Sequence, residues 1–305
     1  MRNNQSGQAK QETGFMTSSN SFEERFIRSS DGLTMYYRDY SAHNQGTPIL
    51  CLAGLTRNSR DFEALAPQLT KKGRRVLTLD LRGRGKSDYD LNPDHYVLPV
   101  YAQDVLVFLD RLGLEKIIII GSSLGGLIAL NVAALNPSLI GAIILNDIGP
   151  VVSPEGLERI GSYVGNRGSF QTWHETATAL RRVNERIYPD FDMEDWLTLA
   201  RRTFRETPSG EIRADYDPAI AIPFNQGRNV DPDTDPWVPF EKLKTMPILV
   251  IRGAASDILS AETLDKMKQT KPDLKTLTLS NRGHMPLLTE PQCLEAINGF
   301  LAEIS

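Results

Sequence analysis

The 305-residue chain predicts an α/β protein, a mainly parallel sheet with helices packed on both faces. Two observations carry that prediction. Short unbroken apolar runs recur and end in glycine or a polar turn: "TPILCLAG" at 47–54, "RVLTLDLRGRG" at 75–85, "KIIIIGSSLGG" at 116–126, "LIGAIILNDIG" at 139–149, "MPILVIRGAASD" at 246–257 and "LKTLTLSNRGH" at 274–284. Runs without polar alternation suit strands covered on both faces. Between them lie segments with apolar residues at helical spacing. Such strand–helix alternation builds parallel sheets through right-handed crossovers.

Residues 1–20 are polar, carry no apolar core and predict a disordered tail. They lack the apolar h-region of a signal peptide, and no stretch approaches the ~20 apolar residues of a membrane span. Two alternating runs then flank Asp31-Gly32, a pair suited to a type I′ hairpin. Helices are expected over 59–72, with Ser59 as N-cap and a stop before Gly73, and over 99–112, 124–135, 261–270 and 291–303, the last with Pro291 in its first turn.

The alternation breaks between about 150 and 240. That stretch holds three tryptophans (Trp173, Trp196, Trp237), paired arginines and helix-like segments without strand signals. It ends in the Pro/Asp-rich "NVDPDTDPWVPF" at 229–240, which reads as a connecting loop. The expected organisation is a core of 21–149 and 241–305 with an inserted, mostly helical lid over 150–240.

Hydrophobic residues make up 40% and charged residues 24%, and the net charge is -4, so no basic footprint for nucleic acid or an anionic membrane exists. The two cysteines, Cys51 and Cys293, form neither a disulfide framework nor a metal site. The expected partner is a small-molecule substrate, with no nucleic acid and no membrane. The expected location is cytoplasmic and the expected state a monomer or homodimer.

The chemistry concentrates at Gly121-Ser122-Ser123-Leu124-Gly125. A strand that must enter a helix within so tight a turn strains its central residue and points that side chain out at the sheet's C-terminal edge. Small residues two positions either side let the turn close. Ser123 sits at the apex, while Ser122 is the permissive position. A serine hydroxyl needs a base, and histidine titrates near working pH. Of His43, His95, His174 and His284, only His284 follows the last strand at the same edge as the serine turn. An acid must orient that imidazole. Asp257, just past "ILVIRGAAS", gives the order Ser123…Asp257…His284 and is the favoured acid; Asp147, past "AIILN", is its rival. Backbone N–H groups of Leu55 and Leu124 are the expected oxyanion donors, with Gly54 letting the backbone pass close to the substrate oxygen. The apolar flanks Leu55, Leu124, Ile148, Ile258 and Met285, with Trp173 and Trp237 from the lid, are expected to line a pocket for an apolar acyl group; Trp196, Tyr216, Phe224 and Phe240 are further lid candidates, and most of these lid aromatics are expected to form the lid's own core. Arg57 reads as a solvated arginine, with substrate carboxylate binding as the alternative.

Together these residues resemble the α/β-hydrolase family over nearly all of 24–305, including "DLRGRGKSD" at 80–88. That stretch suggests phosphate binding by Arg82, Arg84 and Lys86, but it lacks P-loop spacing and is structural in the family. The resemblance implies an eight-stranded, mostly parallel sheet, a helical lid after the sixth strand, a Ser–His–acid triad, and no metal or organic cofactor. Ala53-Gly54 replaces the His-Gly of many relatives, and "LTRNSRDF" lacks the glycine-rich loop of carbon–carbon bond hydrolases. Ser123 argues against dehalogenases and epoxide hydrolases, which use aspartate at the elbow. The expected activity is hydrolysis of a small carboxylic ester or lactone through an acyl-enzyme on Ser123. The alternatives are a carbon–carbon bond hydrolase or cofactor-free perhydrolase with the same triad, and a slow-turnover receptor or signalling protein on this fold. A degenerate hydrolase is disfavoured by the intact triad.

Overall fold

The computed structural model describes residues 22–40, 46–228 and 235–304. The predicted tail, His43 and residues 229–234 of the connecting loop lie outside the described residues.

The strands of the main sheet are β1 (Glu23–Arg28), β2 (Thr34–Tyr40), β3 (Ile49–Leu52), β4 (Val76–Leu79), β5 (Ile117–Ser122) and β6 (Ile140–Asn146), followed much later by β10 (Ile248–Gly253) and β11 (Lys275–Leu279). They lie in the order β1-β2-β4-β3-β5-β6-β10-β11. Only the β1–β2 and β2–β4 pairings are antiparallel; every pairing from β4 to β11 is parallel. The β1–β2 turn differs from the expected type I′. Ser29 N–H donates to Leu33 O at 2.9 Å, and only Gly32 takes a positive φ, 90°. A type I′ turn needs positive φ at both central residues; three residues with glycine last make a G1-bulge loop instead.

The isoleucine run explains the layers. Ile117 and Ile119 of β5 face one core and Ile118 and Ile120 face the other, all fully buried. On the first face pack α2 (Leu98–Arg111), α3 (Leu124–Leu135) and α9 (Ala261–Thr270), through residues such as Phe108, Ile128 and Met267. On the second pack α1 (Ala66–Lys71) and α10 (Pro291–Ala302), through Leu69, Ile297 and Phe300. Both cysteines are free and buried in this second core.

Between β6 and β10 the chain leaves the sheet and runs through α4 (Pro154–Tyr163), β7 (Ser169–Phe170), α5 (Trp173–Asn184), α6 (Met193–Thr203), β8 (Phe204–Glu206), β9 (Ile212–Ala214), α7 (Ala221–Asn225) and α8 (Trp237–Glu241). The short strands form an antiparallel sheet in the order β7-β9-β8. That sheet was not anticipated, because strands of two or three residues carry no readable alternation. Helices α5 and α6 share a small core of Trp196, Leu199, Tyr188 and Ala177. Helix α8 belongs with the main core instead, since Trp237 and Phe240 pack there. Polar contacts hold the excursion on the sheet edge. Arg60 pairs with Asp215 at 2.6 Å, Arg202 with Glu63 at 3.0 Å and Arg282 with Asp190 at 2.6 Å, while Tyr96 OH donates to Asp217 at 2.7 Å. Among the described residues no helix is long and apolar enough to cross a membrane.

Candidate active site

Ser123 lies between β5 and α3 with φ 51° and ψ -117°, the strained backbone expected at the apex of the turn. The flanking glycines are sterically required. A Cβ on Gly125 would stand 2.1 Å from Leu52 O, and one on Gly121 would stand 2.4 Å from Gly125 O. Helix α3 therefore starts in backbone contact with the strand ends, with the positive end of its dipole behind Ser123. Ser122 points the other way. It is 2% exposed, and its Oγ accepts from Asn146 Nδ2 at 3.0 Å.

His284 reaches the serine from the loop after β11. That loop crosses the end of β10 closely, since a Cβ on Gly253 would meet Gly283 O at 2.4 Å. His284 Nε2 lies 3.0 Å from Ser123 Oγ, and Nδ1 lies 2.8 Å from Asp147 Oδ2. Asp147 is fully buried and has φ 56°. Its carboxylate also accepts from Gly253 N–H at 2.8 Å and Ser256 Oγ–H at 2.6 Å. Three donors fix both oxygens in place. That geometry holds the imidazole with its proton on Nδ1 and leaves Nε2 free to accept from serine.

Asp257, the acid that chain order favours, is not the partner of the imidazole; Asp147 is. Asp257 makes no hydrogen bond to His284. Arg159 of α4 holds it instead, donating from Nε to one carboxylate oxygen and from Nη2 to the other at 2.9 Å. Burial alone would raise the Asp257 pKa, but the hydrogen bonds and charge of Arg159, with His284 nearby, hold it below the usual carboxylate value. The physical reason for the exchange is backbone direction. The left-handed turn at Asp147 aims its carboxylate at the imidazole, whereas the excursion delivers an arginine to Asp257.

The loop after β3 runs beside Ser123. A Cβ on Gly54 would stand 3.6 Å from Ser123 Cβ and 3.5 Å from Arg57 Cγ. These are ordinary van der Waals contacts. Neither the Leu55 nor the Leu124 N–H is spent on another hydrogen bond among the described residues. Arg84, fully buried, donates from Nε to Leu55 O at 2.9 Å and lies over the rings of Tyr101 and Tyr96 at 4.7 and 5.7 Å. Arg82 binds Asp104 through Nε and Nη2, both at 2.6 Å, and also gathers Asp31 and Asp90, the latter shared with His95. Both arginines are thus engaged inside the fold, and neither is offered to phosphate.

Ser123 and His284 open into a cavity of about 320 Å³. Leu55 and Met285 line it as expected, and so does Tyr216. Ile148 and Ile258 do not; both are buried in the core behind the sheet edge. Nor do the tryptophans. Trp173 packs in the α5–α6 core under Arg201, and Trp237 lies on α8 under Lys266 at 4.1 Å. Large aromatics bury most area where elements meet, and these two were spent there. Phe224 and Phe240 likewise pack on the main core. The lining comes instead from Ile160 and Tyr163 of α4, Leu180 and Val183 of α5, Phe170 and Tyr188. The spacing 159, 160, 163 on one helix face was the available signal for α4. Arg57 also lines the cavity and is mostly buried. Its Nε donates to Asp61 Oδ2 at 2.9 Å and its Nη1 to Thr203 Oγ1 at 2.7 Å.

Comparison with known proteins agrees with this architecture. The model of the alpha/beta hydrolase fold family matches residues 47–291. The 3-hydroxybutyrate-oligomer hydrolase of Cupriavidus necator is 32% identical over 84% of this chain and 89% of its own length. The sn-1-specific diacylglycerol lipase of Mus musculus is 32% identical over 83% of this chain and 80% of its own. The crystal structure of an alpha/beta hydrolase from Novosphingobium aromaticivorans superposes with a TM-score of 0.89 at 46% identity, covering 93% of this chain and 99% of that one. A strained serine, a facing histidine and a sheet of this order are what such a match leads one to find, and the chain belongs to the alpha/beta hydrolase fold family and is a hydrolase.

Proposed function

We propose that the chain is a serine hydrolase that cleaves carboxylic esters of short aliphatic acids through an acyl-enzyme on Ser123. The observation that supports this reading best is the continuous relay from Ser123 Oγ to His284 at 3.0 Å and on to buried Asp147 at 2.8 Å, opening into a largely apolar cavity. His284 takes the serine proton as Oγ attacks the carbonyl carbon. The N–H groups of Leu55 and Leu124 receive the developing oxyanion. Asp147 keeps the imidazole in the accepting tautomer and stabilises the imidazolium that forms. His284 then gives the proton to the leaving alcohol. Water repeats the sequence, attacking the acyl carbon and freeing Ser123. Two similar proteins have names that specify ester chemistry, a hydroxyacid-oligomer hydrolase and a diacylglycerol lipase, and these support esters as the substrate class.

The test is a panel of p-nitrophenyl esters from acetate to decanoate. Turnover should be greatest for chains that a 320 Å³ cavity encloses and fall for longer ones. Ser123→Ala should reduce turnover by at least about a thousandfold. A loss of less than tenfold sinks the nucleophile assignment.

A further inference from the structure

The cavity has a charge pattern that simple ester hydrolysis does not require. Two guanidinium groups, Arg57 and Arg159, line it together with Ser123 and His284, and among the described residues no aspartate or glutamate does. Their counter-ions stand behind the wall: Asp61 pairs with Arg57 and Asp257 with Arg159, and neither carboxylate lines the space. Each ion pair is therefore a dipole with its positive end turned inward. Much of the remaining wall is apolar (Leu55, Ile160, Leu180, Met285), which weakens screening and strengthens the field on an enclosed anion.

The two arginines are not equally available. Arg57 uses all three guanidinium nitrogens, Nε and Nη2 on Asp61 and Nη1 on Thr203. Arg159 commits only Nε and Nη2 to Asp257, and among the described residues its Nη1 has no carboxylate partner. Its side chain is 25% exposed, so it lies at the open part of the site rather than in the core. Tyr163, one turn further along α4, also lines the cavity and places its hydroxyl beside the same guanidinium.

We propose that Arg159 is a substrate-recognition residue, and that Nη1 with the Tyr163 hydroxyl receives the free carboxylate of an acidic ester whose scissile carbonyl lies at Ser123. The proposal rests on the ester-hydrolase reading and narrows its substrates to esters that carry a carboxylate away from the scissile bond. A planar guanidinium with a free edge binds that group through charge-assisted hydrogen bonds. The role of Asp257 then changes from triad acid to the group that orients Arg159 and competes with the substrate for its charge.

The experiment uses the full chain and a matched substrate pair, the 3-hydroxybutyrate dimer with a free carboxylate and its methyl ester. Wild type should favour the acid dimer in kcat/KM by about tenfold or more. Arg159→Gln should reduce that ratio by about tenfold or more, through KM of the acid dimer. Asp257→Asn should raise the ratio, because it removes the competing negative charge; a purely structural ion pair would instead make both variants slow both substrates alike. Labelling of Ser123 by a fluorophosphonate checks that each variant keeps a folded site. Equal treatment of the two dimers by wild type, or a ratio unmoved by Arg159→Gln, overturns the assignment. So does Ser123-dependent turnover of p-nitrophenyl butyrate with no turnover of either dimer, an outcome that leaves the ester hydrolase standing. Failure of the ester reading itself appears separately, as p-nitrophenyl butyrate turnover indifferent to Ser123→Ala.

Discussion

Asp147→Asn is the substitution that separates the observed relay from the one expected on chain order. The Asp147 carboxylate accepts from Gly253 N–H at 2.8 Å on one oxygen, and from His284 Nδ1 at 2.8 Å and Ser256 Oγ at 2.6 Å on the other. An asparagine of the same shape must keep its oxygen toward Gly253, whose N–H can only donate. Its NH₂ then faces His284 and forces the imidazole to accept at Nδ1 and carry its proton on Nε2. That tautomer cannot take the serine proton. The loss in kcat should be about 10⁴-fold, the size of the effect when a triad aspartate elsewhere is made asparagine, equivalent to about 5 kcal/mol of activation free energy. The assay is steady-state hydrolysis of p-nitrophenyl butyrate, with thermal melting to confirm the fold. Asp257→Asn, measured beside it, should cost less than about tenfold on this neutral ester. If Asp257→Asn costs as much as Asp147→Asn, or if Asp147→Asn costs less than tenfold, the assignment of the acid is wrong.

Three further outcomes follow from the same geometry. Ser122→Ala removes one buried hydrogen bond, from Asn146 Nδ2 at 3.0 Å, and should lower stability by about 1 kcal/mol in denaturant titration while kcat stays within threefold of wild type, roughly the noise of such comparisons. Arg84→Met keeps the buried volume but frees Leu55 O from its 2.9 Å bond; kcat should fall about tenfold to a hundredfold with little change in KM, because a displaced oxyanion donor acts on the transition state. Asp31 is burdened by burial, but the hydrogen bonds and charge of Arg82 and its bond from Ser29 hold its pKa down to about 2. A depressed carboxylate pKa stabilises the fold above the unfolded value and loses that contribution as pH falls through the folded value. The Tm gap between wild type and Asp31→Asn should therefore be full near pH 6 and close between about pH 4 and pH 2.

Local signals made much of this molecule readable. The helices at 124–135 and 261–270 match the expected bounds residue for residue, because a serine precedes each and Pro137 and Pro272 follow their ends. The pairing of Ser123 with His284 was legible because one is the central residue of a Gly-x-Ser-x-Gly turn and the other is the histidine that follows the last strand at the same edge. The acid was not, because two aspartates follow strand ends on the same edge and only tertiary contacts choose between them. A clue was present in Asn146-Asp147, since these residue types tolerate the left-handed conformation that Asp147 adopts, φ 56°. The pocket was the least legible part. Trp173 and Trp237 looked like lining residues but fill cores, and the cavity is walled by aliphatic and tyrosine side chains from α4 and α5. Which face a short amphipathic helix turns toward a cavity depends on how it docks, and no local pattern encodes docking.

Acid quench of the enzyme mixed with p-nitrophenyl butyrate, followed by peptide mass spectrometry, tests the central claim most directly. A butyryl group should appear on the Ser123 side chain, build up within the first turnover, and be absent from Ser122 and from the Ser123→Ala protein. Full-rate hydrolysis with no acyl group on Ser123 at any time within the first turnover would contradict it.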